Sequence, residues 1–166
     1  QHSCMEHDDD MRWLIALISD TGMRLAEATG LHVDVIKLNE DIPHVDIKPH
    51  PWRSLKTRGS QRQVPPVSAL LWAAQRIKAN ASSCFAFPRY TDNSRCNANS
   101  ASNALNKWLH ANFRKDIVIH GFRHAMRDLP RAVGCPSEMI DQIGGWSSGK
   151  IGKGHVDGFE VSLVNH

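Results

Sequence analysis

Across 166 residues the chain has a single tyrosine, Tyr90, and its four cysteines, Cys4, Cys84, Cys96 and Cys135, contain no CxxC pair. Thiols scattered in this way exclude a zinc ribbon or a disulfide framework and read as reduced cysteines of a cytoplasmic protein. Long apolar runs are missing too. No stretch approaches the roughly 20 residues of a membrane helix. The start, "QHSCMEHDDD", has neither the basic nor the apolar region of a signal peptide, so the chain reads as soluble, with no membrane partner. Internal repeats and low-complexity tracts are absent. What remains, at 41% hydrophobic content, suffices for a single domain, 1–166, with its own core.

One segment also lacks acid. Residues 47–91 carry eight Lys or Arg and no Asp or Glu, whereas 1–46 carry ten acids and three bases, and 92–166 carry seven acids and nine bases. The net charge of +3 therefore conceals block charges of −7, +8 and +2. A segment this positive suits a polyanion such as DNA or RNA, provided folding does not scatter its charges.

Periodicity places these blocks on elements. "MRWLIALIS" predicts an apolar helix stopped near Gly22, and "MRLAEATGL" opens another, with Arg24 in its first turn and Glu27 three residues on. From about His44 to Val67 short, partly alternating runs broken by Pro and Gly predict a small antiparallel sheet with turns near "PHP" and "RGSQ". "VSALLWAAQRIKA" is helical. After the polar loop "RYTDNSRCNANS" comes "ASNALNKWLHANF", a helix with Ser100 or Ser102 as N-cap. The class is α+β, mainly α.

The next helix carries "HGFRH". At 100° per residue Phe122, Met126, Leu129 and Val133 share a face that should be buried. His120, Arg123, His124, Arg127 and Arg131 gather on the other, and Pro130 predicts a kink. His120 and His124 have the spacing of zinc-binding HExxH helices, but Gly121 takes the place of the general-base Glu. The basic stripe would repel a divalent cation, and no matching ligand cluster exists elsewhere, so no metal or other cofactor is expected. A solvated basic face and a phosphate clamp both fit this helix alone.

Four segments taken in order narrow the choice. "TGMRLAEATGL" (21–31) resembles the first arginine box of the tyrosine recombinases, the phage integrase family; "SLKTRGSQRQVPP" (54–66) resembles its lysine turn, "HGFRH" its His-x-x-Arg box and "IDQIGGWSSGKIGKGH" (140–155) its closing box. The resemblance implies the family's helical catalytic core with about three antiparallel strands. It also implies double-stranded DNA as partner, and strand cleavage and rejoining through a covalent 3′-phosphoprotein intermediate without metal or nucleotide. Arg24 and Arg123 would hold the nonbridging oxygens of the scissile phosphate, as permanently charged bidentate donors can. Glu27 would orient Arg24. Lys56 would protonate the departing 5′ oxygen, and His120 would bond the phosphate or exchange a proton with the attacking group. Trp146 can donate one hydrogen bond but cannot shuttle a proton, so it would hold the phosphate or pack against the site. His124 is expected to be structural.

The departure is at the nucleophile. Relatives with a "GGWS" box carry a tyrosine nine residues after the tryptophan, and here that position is His155, with Phe159 at the following aromatic position. Tyr90 lies far away in the polar loop and reads as a packing or surface residue. An imidazole nitrogen sits about 2 Å nearer the backbone than a tyrosyl oxygen, and misplacement by about 1 Å can cost 100-fold. Cleavage is therefore expected to be impaired. The alternative is an inactive integrase relative that only binds DNA. The resemblance further implies an amino-terminal DNA-binding domain outside this chain, self-association on DNA in the full-length protein, and a monomer for this chain in isolation.

Overall fold

The computed structural model describes residues 7–146; His155 and Phe159 lie outside the described residues. Helix α1, Asp10–Thr21, starts where the Asp9 side chain accepts from the Arg12 amide at 3.0 Å, and it ends at Gly22, whose φ of 61° is left-handed. Leu14, Ile15, Leu17 and Ile18 are all buried, so α1 runs through the core rather than along its surface. The short helix α2, Leu25–Thr29, opens where the Glu27 side chain accepts from the Arg24 amide at 3.1 Å.

The sheet is three-stranded and antiparallel, in the order β1 (Ile36–Lys37), β2 (His44–Ile47), β3 (Arg62–Val64). Val45 lies opposite Ile36 on one side and Val64 on the other, and Ile47 lies opposite Arg62. Strand alternation buries Arg62 and Val64 and exposes Gln63. Helix α3, Ser68–Ala79, packs along α1, and Asp20 accepts from the Leu70 amide at 2.9 Å. Helices α4 (Ala98–Asn112), α5 (Ile119–Ala132) and α6 (Ser137–Gly144) follow, with α5 packed on α1 and α6, and α6 reaching β3. Among the described residues the fold is thus six α-helices and one small sheet, the mainly helical α+β class expected.

Three local expectations are corrected. The sheet begins at Ile36, ahead of His44, because a two-residue strand has no alternation to read. The cap of α4 is Asn97, whose side chain accepts from the Ser100 amide at 3.1 Å, so Ser100 receives the cap instead of supplying it. In α5, Leu129 and Val133 are 68% and 84% exposed while Arg123 is 5% exposed, so the buried face is rotated from the apolar stripe. Its inward side is Ile119, Arg123 and, half-buried, Phe122 and Met126. Pro130 lies in the last turn of α5, which ends two residues later at Ala132.

Candidate active site

Glu27 is the buried centre of one half of the site. Its carboxylate, 2% exposed, accepts from Arg24 Nη1 at 2.8 Å and from Arg62 Nη2 at 3.2 Å. Burial pushes this carboxyl up, but Arg62 and the bonds from Arg24 outweigh it and hold the group below its ordinary value, so it is ionised at neutral pH. Arg24 Nη1 also donates to Ser60 Oγ at 2.9 Å, and Ser60 in turn bonds Thr57 at 2.8 Å. The Arg24 side chain stays one-quarter exposed, tethered on its inner side and open on its outer one.

Arg123 builds the other half. Its Nη1 donates to the carbonyls of Gly22 and, at 2.8 Å, of Gly144. These carbonyls end α1 and α6, and the negative end of a helix favours a cation. This explains the inward turn of Arg123 that the apolar pattern did not reveal. Trp146 covers the guanidinium at 4.4 Å from its ring centroid, with Arg127 at 5.6 Å. The indole fits only because Gly144 has no side chain, since a Cβ there would lie 1.6 Å from a ring atom. Burial first, then the charge of Arg24, lowers the Arg123 pKa to about 10, which leaves it charged at neutral pH. Its Nη2 is buried and has no hydrogen-bond partner among the described residues.

His120 lies one turn before His124 on α5, the two rings edge to face with centroids 4.9 Å apart. Partial burial, then His124, Arg123 and Lys56, hold its imidazole below the ordinary value, so it is neutral at pH 7 and free to take a proton. Lys56 is exposed at a bend just before the short 3-10 turn Arg58–Ser60. No group of three or more potential metal ligands converges among the described residues.

The electrostatic couplings therefore link Arg24 to Arg123, Arg123 to His120, and His120 to Lys56, with Trp146 stacked on Arg123. Of the six residues singled out in the sequence, five fall in this neighbourhood and His155 lies outside the described residues. Tyr90 is 4% exposed and packed in the core. Sequence reasoning missed Arg62. Its Nε donates to the Ile143 carbonyl at 2.6 Å and its Nη1 to the Ser60 carbonyl at 2.7 Å, so it ties β3, the lysine turn and α6 to Glu27. The available signal was the alternation "RQV", which puts Arg62 on the same face as Val64.

Among solved structures, the fold is similar to the integrase of transposon Tn1549 in complex with a circular intermediate DNA. Two such complexes each give a TM-score of 0.60 at 17% identity over 82% of this chain. A further structure of that integrase, with transposon right end DNA, gives 0.57 at 18%. This chain spans about half the length of those chains, 51 to 52%. A comparison with curated protein sequences finds no match. The family model described as "Phage integrase family" matches residues 3–153, nearly the whole chain and all four boxes up to two residues before His155. On a match of this extent the chain belongs to the phage integrase family of tyrosine recombinases.

Proposed function

We propose that this chain is the catalytic domain of a DNA integrase, binding duplex DNA and holding one backbone phosphate between Arg24 and Arg123. The observation that carries the reading is the pair of guanidiniums from α2's cap and α5. Each is tethered on one side, one partly exposed and the other with an unpartnered Nη2, and Arg123 feels the charge of Arg24. Glu27 is shared by Arg24 and Arg62 and has no bond to Arg123, so one carboxylate faces three guanidiniums and a phosphodiester would supply further negative charge. Lys56 would protonate the 5′ oxygen as it leaves, and neutral His120 would accept a proton from the attacking group or donate a hydrogen bond to the phosphate. Trp146 would keep Arg123 aligned by stacking. The DNA carried by the Tn1549 integrase in its solved complexes supports the same partner here. The isolated chain would be a monomer, with self-association reserved for the full-length protein on DNA.

In this reading His155 stands at the position of the attacking tyrosine, and cleavage is strongly impaired. A duplex with a nick beside the scissile phosphate, which traps the covalent state, tests both parts. His155→Tyr should yield a denaturant-resistant protein–DNA adduct, whereas the parent chain and His155→Phe remain at background. If DNA-bound His155→Tyr forms no more adduct than His155→Phe, either position 155 is not the nucleophile site or the surrounding clamp has also decayed. The second reading, a relative that only binds DNA, is favoured by the histidine itself, and it predicts binding without adduct for all three proteins.

A further inference from the structure

A pocket of about 220 Å³ opens between α1, α4 and α5, with Met23 and Ile119 on its apolar side and Asn99, Ser102, His120 and Arg123 as its polar groups. Arg24, Lys56 and Trp146 do not line it. The first turn of α4 faces it with Asn99 and contains no acidic residue, and no carboxylate is part of the lining. Arg123, 5% exposed, brings to the same pocket a guanidinium whose Nη2 is buried without a partner among the described residues.

The polarity of Ser102 follows from a chain of hydrogen bonds. A backbone amide can only donate, so the Asn106 atom that receives the Ile119 amide at 2.8 Å must be its oxygen. The Asn106 nitrogen is then directed back along α4, where it donates to Ser102 Oγ at 3.3 Å. With its oxygen already accepting, Ser102 has its proton left to give. The bond that holds the start of α5, and so positions His120 and Arg123, thus continues to Ser102, whose hydroxyl keeps its proton to donate.

We infer that Ser102, with Asn99 beside it, is a further substrate-positioning residue that donates to a DNA backbone phosphate oxygen shared with Arg123. This rests on the reading of the site as a DNA phosphate site. The chemistry of the pocket fits that ligand: the guanidinium, hydroxyl and side-chain amide all supply donors, the amino-terminal end of a 15-residue helix adds positive potential, and no acid opposes the anion. Leu25, only partly buried, is the apolar side chain of the lining best placed to meet the attached deoxyribose.

The test uses a fluorescent 30-base-pair duplex and, separately, dimethyl phosphate as a small diester probe. Ser102→Ala should weaken duplex binding about tenfold, the loss of one hydrogen bond to a charged group, with the salt dependence unchanged because no cation has been removed. Ser102→Thr, which keeps the hydroxyl, should bind within about twofold of the parent. In amide NMR spectra dimethyl phosphate should shift Asn99 and Ser102, and the shifts should disappear in Ser102→Ala. Parental affinity for Ser102→Ala, equal losses in the Ala and Thr variants, or dimethyl phosphate shifts confined to the Arg24 and Lys56 segments would each overturn the assignment of Ser102 and leave the broader reading standing. A parent chain that binds no duplex at all would instead remove the reading beneath it.

Discussion

Glu27 shows how much of the site depends on one carboxylate. It faces two guanidiniums at 2% exposure, and Arg62, its deeper partner, is itself 4% exposed at the side chain. Removing one member of a buried ion pair leaves the other charged and unpaired, which costs about 3 to 5 kcal/mol. Glu27→Gln should lower stability by that order in urea unfolding. The sign of its pH dependence follows from the depressed carboxyl. The stabilisation is complete above the ordinary value of 4.5 and is lost as pH falls through the lower folded value, so the parent should lose stability below pH 4.5 and Glu27→Gln should lack that component. Gly144 makes a second residue-scale case. Its Cβ would overlap the Trp146 ring, so Gly144→Ala should push the indole off Arg123. The expected cost is about 1 to 3 kcal/mol, accompanied by a change in Trp fluorescence, while an unchanged emission spectrum would place Trp146 elsewhere.

At the scale of elements, the turn between β2 and the 3-10 turn carries an aromatic stack: His50 lies flat on Trp52 at 4.7 Å, and Trp52 meets Phe85 edge-on at 5.0 Å. Burial, then the charges of Arg53, His32 and Lys48, lowers the His50 pKa to about 4. The unfolded chain binds this proton near the ordinary value of 6.5 and the folded chain near 4, so stability should decline as pH falls between those values. His50→Phe preserves the stack and should flatten that part of a urea-midpoint profile; an unaltered slope would show that His50 is not its source. The elements themselves were largely legible. α1, α3, α4 and α5 follow from 3.6-residue periodicity, and Gly22 and Asp9 do what their types suggest at helix ends. β1 was hidden by its two-residue length. The rotation of α5 was hidden by a tertiary cause: the carbonyl ends of α1 and α6 make a buried home for Arg123, and no pattern within α5 encodes them.

Over the whole molecule the charge blocks proved a poor map of the surface. Within 47–91, Arg53 and Arg62 turn inward, Lys78 donates to the Ile36 carbonyl at 3.0 Å and Arg76 pairs with Asp8 at 2.8 Å. The order of the boxes was more informative, because α1 carries Gly22 and the Arg24 cap to the start of α5, across about a hundred residues of chain. Lys56 remains exposed at its bend, free to meet a ligand.

The central claim, that Arg24, Arg123, His120 and Lys56 receive a DNA phosphate, is tested most directly by duplex affinity measured against salt concentration for the parent and Lys56→Ala. Lys56 is the variant of choice because it is exposed and its removal should leave folding intact. Log K should fall linearly with log salt, with a slope of about −0.9 per phosphate neutralised, and Lys56→Ala should make that slope shallower by about one. Binding that ignores salt, or a Lys56→Ala slope equal to the parent's, would contradict that claim.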